Sequence, residues 1–197
     1  MLLSFAELKP LRQQLRKQRR QLNAFQQKQA AIALLQCVSR SPQFKHAKKV
    51  GLYLHAFGEI ETTRLIEACF KLGKTVYFPQ VCSMNLGLNW VRVTRQQWLN
   101  RQFSLHHLGM LEPKQRGVGI QHLDLLLLPL LACDAKGTRL GMGGGFYDRT
   151  LKHATHVPYR LGIAHDFQYL SAILPRQPWD QPLDALYTPK HRCIFNR

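Results

Sequence analysis

The chain reads as an α/β fold built on a mainly parallel sheet, and three stretches predict it. Residues 50–57 (VGLYLHAF) and 75–81 are rich in β-formers. Between them, Ile66, Ala68 and Phe70 fall in a helical segment. A strand, a crossover of that length and a second strand form a βαβ unit, which joins parallel neighbours. The third stretch is the apolar run beginning at Leu123, LDLLLLPLL, too short to span a membrane and about right for a buried strand.

The remaining elements fit around that unit. Leu8, Leu11, Leu15 and Leu22 recur near one face of a first helix, with Lys9, Arg12, Arg16, Lys17, Arg19 and Arg20 mostly on the others. This is the pattern of a basic helix that packs a leucine stripe and solvates its charges. A second helix is expected over residues 26–39, through Ala30, Ile32, Ala33, Leu34 and Leu35. In the crossover, Thr62 or Thr63 can cap the helix and Gly73 can stop it. Residues 86–93 (LGLNWVRV) alternate as a strand does, and residues 160–165 (RLGIAH) read as another short strand. Pro175 stops any helix begun over 170–174, and residues 185–188 close the fold. No internal repeat, low-complexity tract or linker interrupts residues 1–197, one domain's worth of chain.

Composition narrows the function classes. A hydrophobic fraction of 45% is ordinary for a soluble globular protein, and no apolar run suggests a membrane helix. The N-terminus is basic and acid-poor, but it lacks the serine richness of a transit peptide and contains Pro10, so it reads as part of the mature protein. Five widely spaced cysteines without C-x-x-C argue for a reduced, cytoplasmic chain with neither structural zinc nor a disulfide framework. The histidines show no metal-ligand spacing, and His106-His107 reads as surface. Twenty-eight basic residues against 11 acidic ones give a net charge of +17. That balance suits a nucleic-acid binder, and equally an enzyme for ATP and a polyanionic small molecule. The basic residues are scattered beyond the N-terminus and no RNP1 pattern is present, so nucleic acid is not expected, although charge alone does not exclude it.

The chemistry concentrates in residues 123–151. After the apolar strand comes a turn signal at Asp134-Ala135-Lys136-Gly137, then Arg139 and four glycines, Gly141, Gly143, Gly144 and Gly145, then an aromatic segment able to start a helix. Strand, glycine loop and helix N-terminus together can cradle an anion on backbone N–H groups. The glycines alone also fit a tight strand-to-helix turn, and they match neither the P-loop nor the G-x-G-x-x-G pattern. Glu59 and Glu61 sit where a strand ends and a helix begins. There they either face a ligand at the sheet edge or favour the helix dipole.

The whole string is more specific than its glycines. Pro129, Asp134, Gly137 and then Arg139-Leu-Gly-x-Gly-x-Gly-Phe-Tyr-Asp-Arg149 closely resembles the signature of the 5-formyltetrahydrofolate cyclo-ligase (5,10-methenyltetrahydrofolate synthetase) family. Similar matches run from Lys9-Pro10-Leu11-Arg12, through Glu59-Ile60-Glu61-Thr62 and Leu111-Glu112-Pro113, to the aspartate-rich segment ending at Thr188. The resemblance implies a three-layer α/β sandwich, similar to the sugar-phosphate isomerase and CoA-transferase class. It also implies an ATP- and Mg²⁺-dependent ligase acting on a folate; the protein is expected to be a monomer. By that match Lys9, Arg12, Arg139, Leu140, Gly141, Met142, Gly143, Gly144, Gly145, Phe146 and Tyr147 bind ATP. Leu54, Glu59, Met142, Gly143, Gly144, Gly145 and Phe146 bind the folate, with Glu59 on the pterin. Arg139, Gly143, Gly144, Gly145 and Asp148 carry catalysis, and Asp148 and Asp180 hold the magnesium. Some relatives have basic residues where this loop has Met142 and Gly144, and a tryptophan in the region of Leu108; Trp90 can substitute only if the fold brings it near. An RNA-binding protein using the basic surface of the same fold is the alternative.

Overall fold

In a computed structural model describing residues 2–82, 87–152, 154 and 156–196, the chain forms an α/β sandwich about a seven-stranded sheet. Its elements are α1 (Leu8–Gln21), α2 (Ala24–Arg40), α3 (Pro42–His46), β1 (Lys49–Gly51), α4 (Thr63–Lys71), β2 (Thr75–Val81), β3 (Leu88–Val93), α5 (Arg95–Leu99), β4 (Ser104–Leu105), β5 (Leu111–Glu112), β6 (Leu125–Leu128), β7 (Ala132–Cys133), β8 (Arg139–Leu140), α6 (Phe146–Leu151), β9 (Tyr159–Ile163), β10 (Ala185–Tyr187) and β11 (Arg192–Ile194). The sheet order is β11-β10-β9-β6-β1-β2-β3. The ladders from β10 through β9, β6 and β1 to β2 are parallel, and the edge strands β11 and β3 are antiparallel.

Alternation on the central strand explains the layers. Leu125, Leu126, Leu127 and Leu128 are all 0% exposed. Leu125 and Leu127 pack with Leu34, Val38, Leu65 and Ile66 of α2 and α4 on one face. Leu126 and Leu128 pack with Trp90, Ile120 and Leu151 on the other. A strand covered on both sides needs no polar residue, which is why the run is continuously apolar. Each buried leucine contributes roughly 1.5–3 kcal/mol. A third cluster, Leu8 and Leu15 of α1 with Leu131, Ala132, Leu140 and Leu174, seats the basic helix against the carboxyl end of β6.

Local signals set the helix ends. Asn23 and Gln26 make a reciprocal capping box at α2, with bonds of 2.9 and 3.0 Å. Ser41 caps α3 through a 3.2 Å bond from the Phe44 N–H, and Pro42 takes the first helical position. Thr62 holds the N-cap position of α4, but its hydroxyl donates to the Tyr53 carbonyl at 2.8 Å instead of capping the helix.

Three strands differ from expectation, the strand expected over 160–165 running instead over Tyr159–Ile163. The first ends at Gly51 instead of Phe57: after Leu52, whose N–H still bonds the Tyr77 carbonyl at 2.9 Å, the chain leaves the sheet to wall the cavity. It turns through Phe57 and Gly58 at φ 52° and 76°. A Cβ on Gly58 would lie 2.6 Å from the Arg19 carbonyl oxygen, so glycine is needed both for its conformation and for close approach to α1. The third strand begins at Leu88; Leu86, included in its expected span, lies outside the described residues.

Candidate active site

The carboxyl ends of β1 and β6 open onto a cavity of about 760 Å³, the edge at which parallel sheets bind ligands. Tyr53, Leu54, Phe57 and Glu59 line it from the segment after β1, and Pro129 and Leu130 from the segment after β6. Leu8 and Arg12 of α1 form another wall. The 141–145 loop crosses it, and Trp179 and Asp180 approach from the C-terminal segment.

The loop leaves a short hairpin of β7 and β8 that a buried aspartate holds shut. Asp134 accepts backbone N–H bonds from Lys136 at 2.9 Å, Thr138 at 2.8 Å and Leu174 at 2.9 Å. Gly143 and Gly145 then adopt φ of 104° and 65°, values that a side chain would strain. Three guanidinium groups take the loop's carbonyls. Arg12 Nε donates to Gly141 O at 3.1 Å, Arg16 Nη2 to Met142 O at 2.8 Å, and Arg149 Nη2 to Gly144 O at 2.6 Å. In a trans peptide the N–H opposes the C=O, so these bonds turn the N–H groups of Met142, Gly143 and Gly145 away from the arginines. Among the described residues, Met142, Gly143, Gly144 and Gly145 donate no backbone hydrogen bond. Unpaired backbone donors on consecutive residues suit a multiply charged anion.

Beside the loop, Arg139 Nη2 pairs with Asp148 Oδ1 at 2.8 Å, and its guanidinium lies 5.5 Å from the centre of the Tyr147 ring. Gln181 N also donates to Asp148 Oδ1, at 3.3 Å. Asp180 Oδ2 accepts from Gln177 N at 2.8 Å. Asp148 Oδ2 and Asp180 Oδ1 accept no hydrogen bond among the described residues, and both aspartates line the cavity. Two hard carboxylate oxygens beside an anion cradle fit magnesium, which takes one or two carboxylates with phosphate oxygens and water. Burial and the neighbouring Arg16 lower the Arg12 pKa below its usual value, and Asp180 opposes both.

At the opposite end Glu59 is held by Arg19, whose side chain is 1% exposed. Arg19 Nη1 lies 3.6 Å from Glu59 Oε1, its Nε donates to Phe57 O at 3.1 Å, and its Nη1 donates to Leu130 O at 3.4 Å. Ala56 N adds a 3.1 Å bond to Glu59 Oε2. Burial nevertheless raises the Glu59 pKa, with Arg19 and the Ala56 bond opposing it. Tyr53 and Tyr147 are raised by burial and then by the Glu59 carboxylate, which keeps both phenols neutral beside it. His165 Nε2 lies 3.2 Å from the Gly58 carbonyl and backs this segment from the turn after β9.

Of the residues named from sequence, Arg12, Leu54, Glu59, Asp180 and the segment from Arg139 through Asp148 all line this cavity. Lys9 does not. It is exposed on α1, because Leu8 and Arg12, four residues apart, share the inward face and Lys9 is rotated about 100° from Leu8. Trp90 is fully buried beneath Gly51 in the core and lines no part of the cavity, whereas Leu108 does. Sequence reading missed Arg16, Arg19 and Arg149 as holders of the site. The signal for Arg19 was its spacing: it follows Leu15 by four and Leu8 by eleven, on the buried face.

A mainly parallel α/β sheet with a glycine loop and two aspartates at its carboxyl edge has the architecture of an α/β enzyme. The chain belongs to the 5-formyltetrahydrofolate cyclo-ligase family, whose profile matches residues 6–189. It is 36% identical over 180 residues to the 5-formyltetrahydrofolate cyclo-ligase of Escherichia coli K12, covering 89% of this chain and 96% of the relative. The mouse 5-formyltetrahydrofolate cyclo-ligase is 29% identical over 179 residues, covering 87% and 86%. The NMR structure of Aquifex aeolicus 5,10-methenyltetrahydrofolate synthetase superposes with a TM-score of 0.79 at 29% identity, covering 96% of this chain and 93% of that one. The Mycoplasma pneumoniae synthetase shares the fold, with a TM-score of 0.73 at 21% identity over 93% and 99% of the two chains.

Proposed function

We propose that this enzyme converts 5-formyltetrahydrofolate and ATP to 5,10-methenyltetrahydrofolate, ADP and phosphate by phosphorylating the formyl oxygen. The observation that carries the reading is the run of backbone donors from Met142 to Gly145, unpaired among the described residues and set between a charged pair and a buried acid in one cavity.

The chemistry accounts for the parts. A formyl amide oxygen is a poor leaving group until it accepts the γ-phosphoryl group, which makes an iminium phosphate. N10 then attacks the formyl carbon, the C–O bond breaks, phosphate departs, and N10 loses its proton. Phosphoryl transfer asks mainly for positioning and charge neutralisation. The loop N–H groups and Arg12 hold phosphate oxygens, and Arg139 orients Asp148. Asp148 and Asp180 would hold a magnesium ion, which neutralises phosphate charge. Glu59, kept in place by Arg19 and Ala56 N, receives the polar edge of the pterin, and Leu54 lines its pocket.

Mixing the protein with MgATP and 5-formyltetrahydrofolate should give an ATP-dependent, chelator-sensitive rise in the near-ultraviolet absorbance of the methenyl product. A flat trace from folded, folate-binding protein would refute the reaction. Asp148→Asn keeps the side chain's shape and should lower kcat by about 10²-fold with little change in Tm. Near-normal kcat would remove Asp148 from the chemistry.

A further inference from the structure

Asp148 stands on α6 and Asp180 in the segment before β10, and one buried side chain ties the two segments together. Arg160 lies on β9 in register with Leu126 of β6, so its side chain leaves the sheet on the face where Leu126 packs with Trp90 and Leu151. It is 1% exposed there. One arm of its guanidinium takes the end of α6: Nη2 donates to Leu151 O at 3.2 Å and to Ala154 O at 2.6 Å. The other arm takes the segment of Asp180: Nη1 donates to Gln181 Oε1 at 3.3 Å and to Pro182 O at 3.4 Å. Gln181 completes the link. Its Nε2 donates to Trp179 O at 3.2 Å, and its backbone N–H to Asp148 Oδ1 at 3.3 Å.

We propose that Arg160 is a positioning residue that fixes the spacing of Asp148 and Asp180, and through that spacing the affinity of the pair for a divalent cation. The inference rests on the reading that these two carboxylates hold magnesium. Magnesium demands near-ideal octahedral geometry, so a small drift between two protein ligands is costly. Neither aspartate sits on a long regular element: α6 has six residues, and Asp180 lies between strands. A planar guanidinium suits the task, because its rigid fork grips two chains at once. The sheet does not need it. Arg160 N already donates to Asp184 Oδ2 at 2.7 Å, and Asp184 N to Arg160 O at 2.9 Å, which joins β9 to the chain entering β10 by other groups. The shortest guanidinium bond goes instead to Ala154, just beyond α6. The sign of the effect separates a clamp from simple electrostatics. Arg160 is a cation behind a cation site, so by charge alone its removal would tighten metal binding. As a clamp, its removal loosens it.

The test titrates Mn²⁺, a paramagnetic stand-in for magnesium, into the wild type, Arg160→Lys, Arg160→Met, Gln181→Met and Asp148→Asn. Loss of the free-ion signal in electron paramagnetic resonance reads the binding. Arg160→Lys keeps the charge but loses the fork, and should weaken Mn²⁺ binding about tenfold. Arg160→Met should weaken it at least as much, against the direction that charge alone dictates. Gln181 is half-buried, so Gln181→Met spares the core and carries the test if the Arg160 variants do not fold. It should weaken binding in the same direction by a smaller factor. In turnover, the apparent KM for Mg²⁺ should rise while the folate KM stays unchanged. Tighter Mn²⁺ binding by Arg160→Met would overturn the clamp in favour of charge. Unchanged binding in Gln181→Met and in folded Arg160→Lys, beside its loss in Asp148→Asn, overturns the clamp alone. Binding that survives Asp148→Asn, or a wild type that binds no Mn²⁺, overturns the metal assignment and the clamp with it.

Discussion

Arg19 is a full charge in a wall of apolar and carbonyl groups, and its placement decides what Glu59 can do. Losing one partner of a buried pair leaves the other uncompensated. Arg19→Met should therefore cost about 3 kcal/mol in urea unfolding, and the double variant Arg19→Met/Glu59→Gln should recover much of it. Without Arg19 the Glu59 pKa rises further, so stability present at low pH is lost as pH rises through the folded value. The deficit should be larger at pH 8 than at pH 5, and a pH-independent deficit would argue against the pair. His165 works with the opposite sign. Burial, aided by Arg19, lowers its pKa to about 4 against the Gly58 bond and Asp166. Between about 6.5 and 4 the unfolded chain holds a proton that the folded one does not. Stability should fall by up to about 3 kcal/mol on acidification through that window, and His165→Gln should flatten the dependence.

The 141–145 loop is held by its neighbours as much as by its own glycines. Arg12 and Arg16 reach it from α1, more than a hundred residues earlier in the chain, and Arg149 from the helix that follows. A Cβ at Gly144 would come within 2.7 Å of the Phe146 ring, so a side chain here could enter only if Phe146 moved. Arg16→Ala should raise the KM for ATP about tenfold with a smaller effect on kcat, and Arg16→Lys should restore part of the loss. An unchanged KM would mean that the loop holds its shape without α1. The glycine loop and its flanking strand were readable because their signals are contiguous: an apolar run, a turn, positive-φ glycines. The early end of β1 was not, because VGLYLHAF keeps its β-forming composition past the point where the cavity needs the chain to leave the sheet. Thr62 likewise has the residue type of a helix cap, and its hydroxyl is drawn instead to the Tyr53 carbonyl.

Across the whole molecule the net charge is +17, and Arg12, Arg139, Arg149 and Lys152 are its contributors on the cavity wall. Both proposed substrates are anionic, so the surface field should speed their encounter, and salt should screen it. We expect kcat/KM to fall several-fold between low and high ionic strength while kcat changes little. An RNA that competes with ATP at physiological salt would instead revive a nucleic-acid role for the basic surface. No helix among the described residues is long and apolar enough to cross a membrane. What the sequence determined by itself was the mainly parallel α/β layout, the glycine loop and the acids near it, because periodicity, turn chemistry and glycine conformation act over a few neighbouring residues. Only the tertiary structure decided that Arg19 is buried while Lys9 stays in solvent, that Trp90 is core, and that Trp179 faces the cavity. Those outcomes depend on which face of an element meets which distant segment, and residue type does not carry that information.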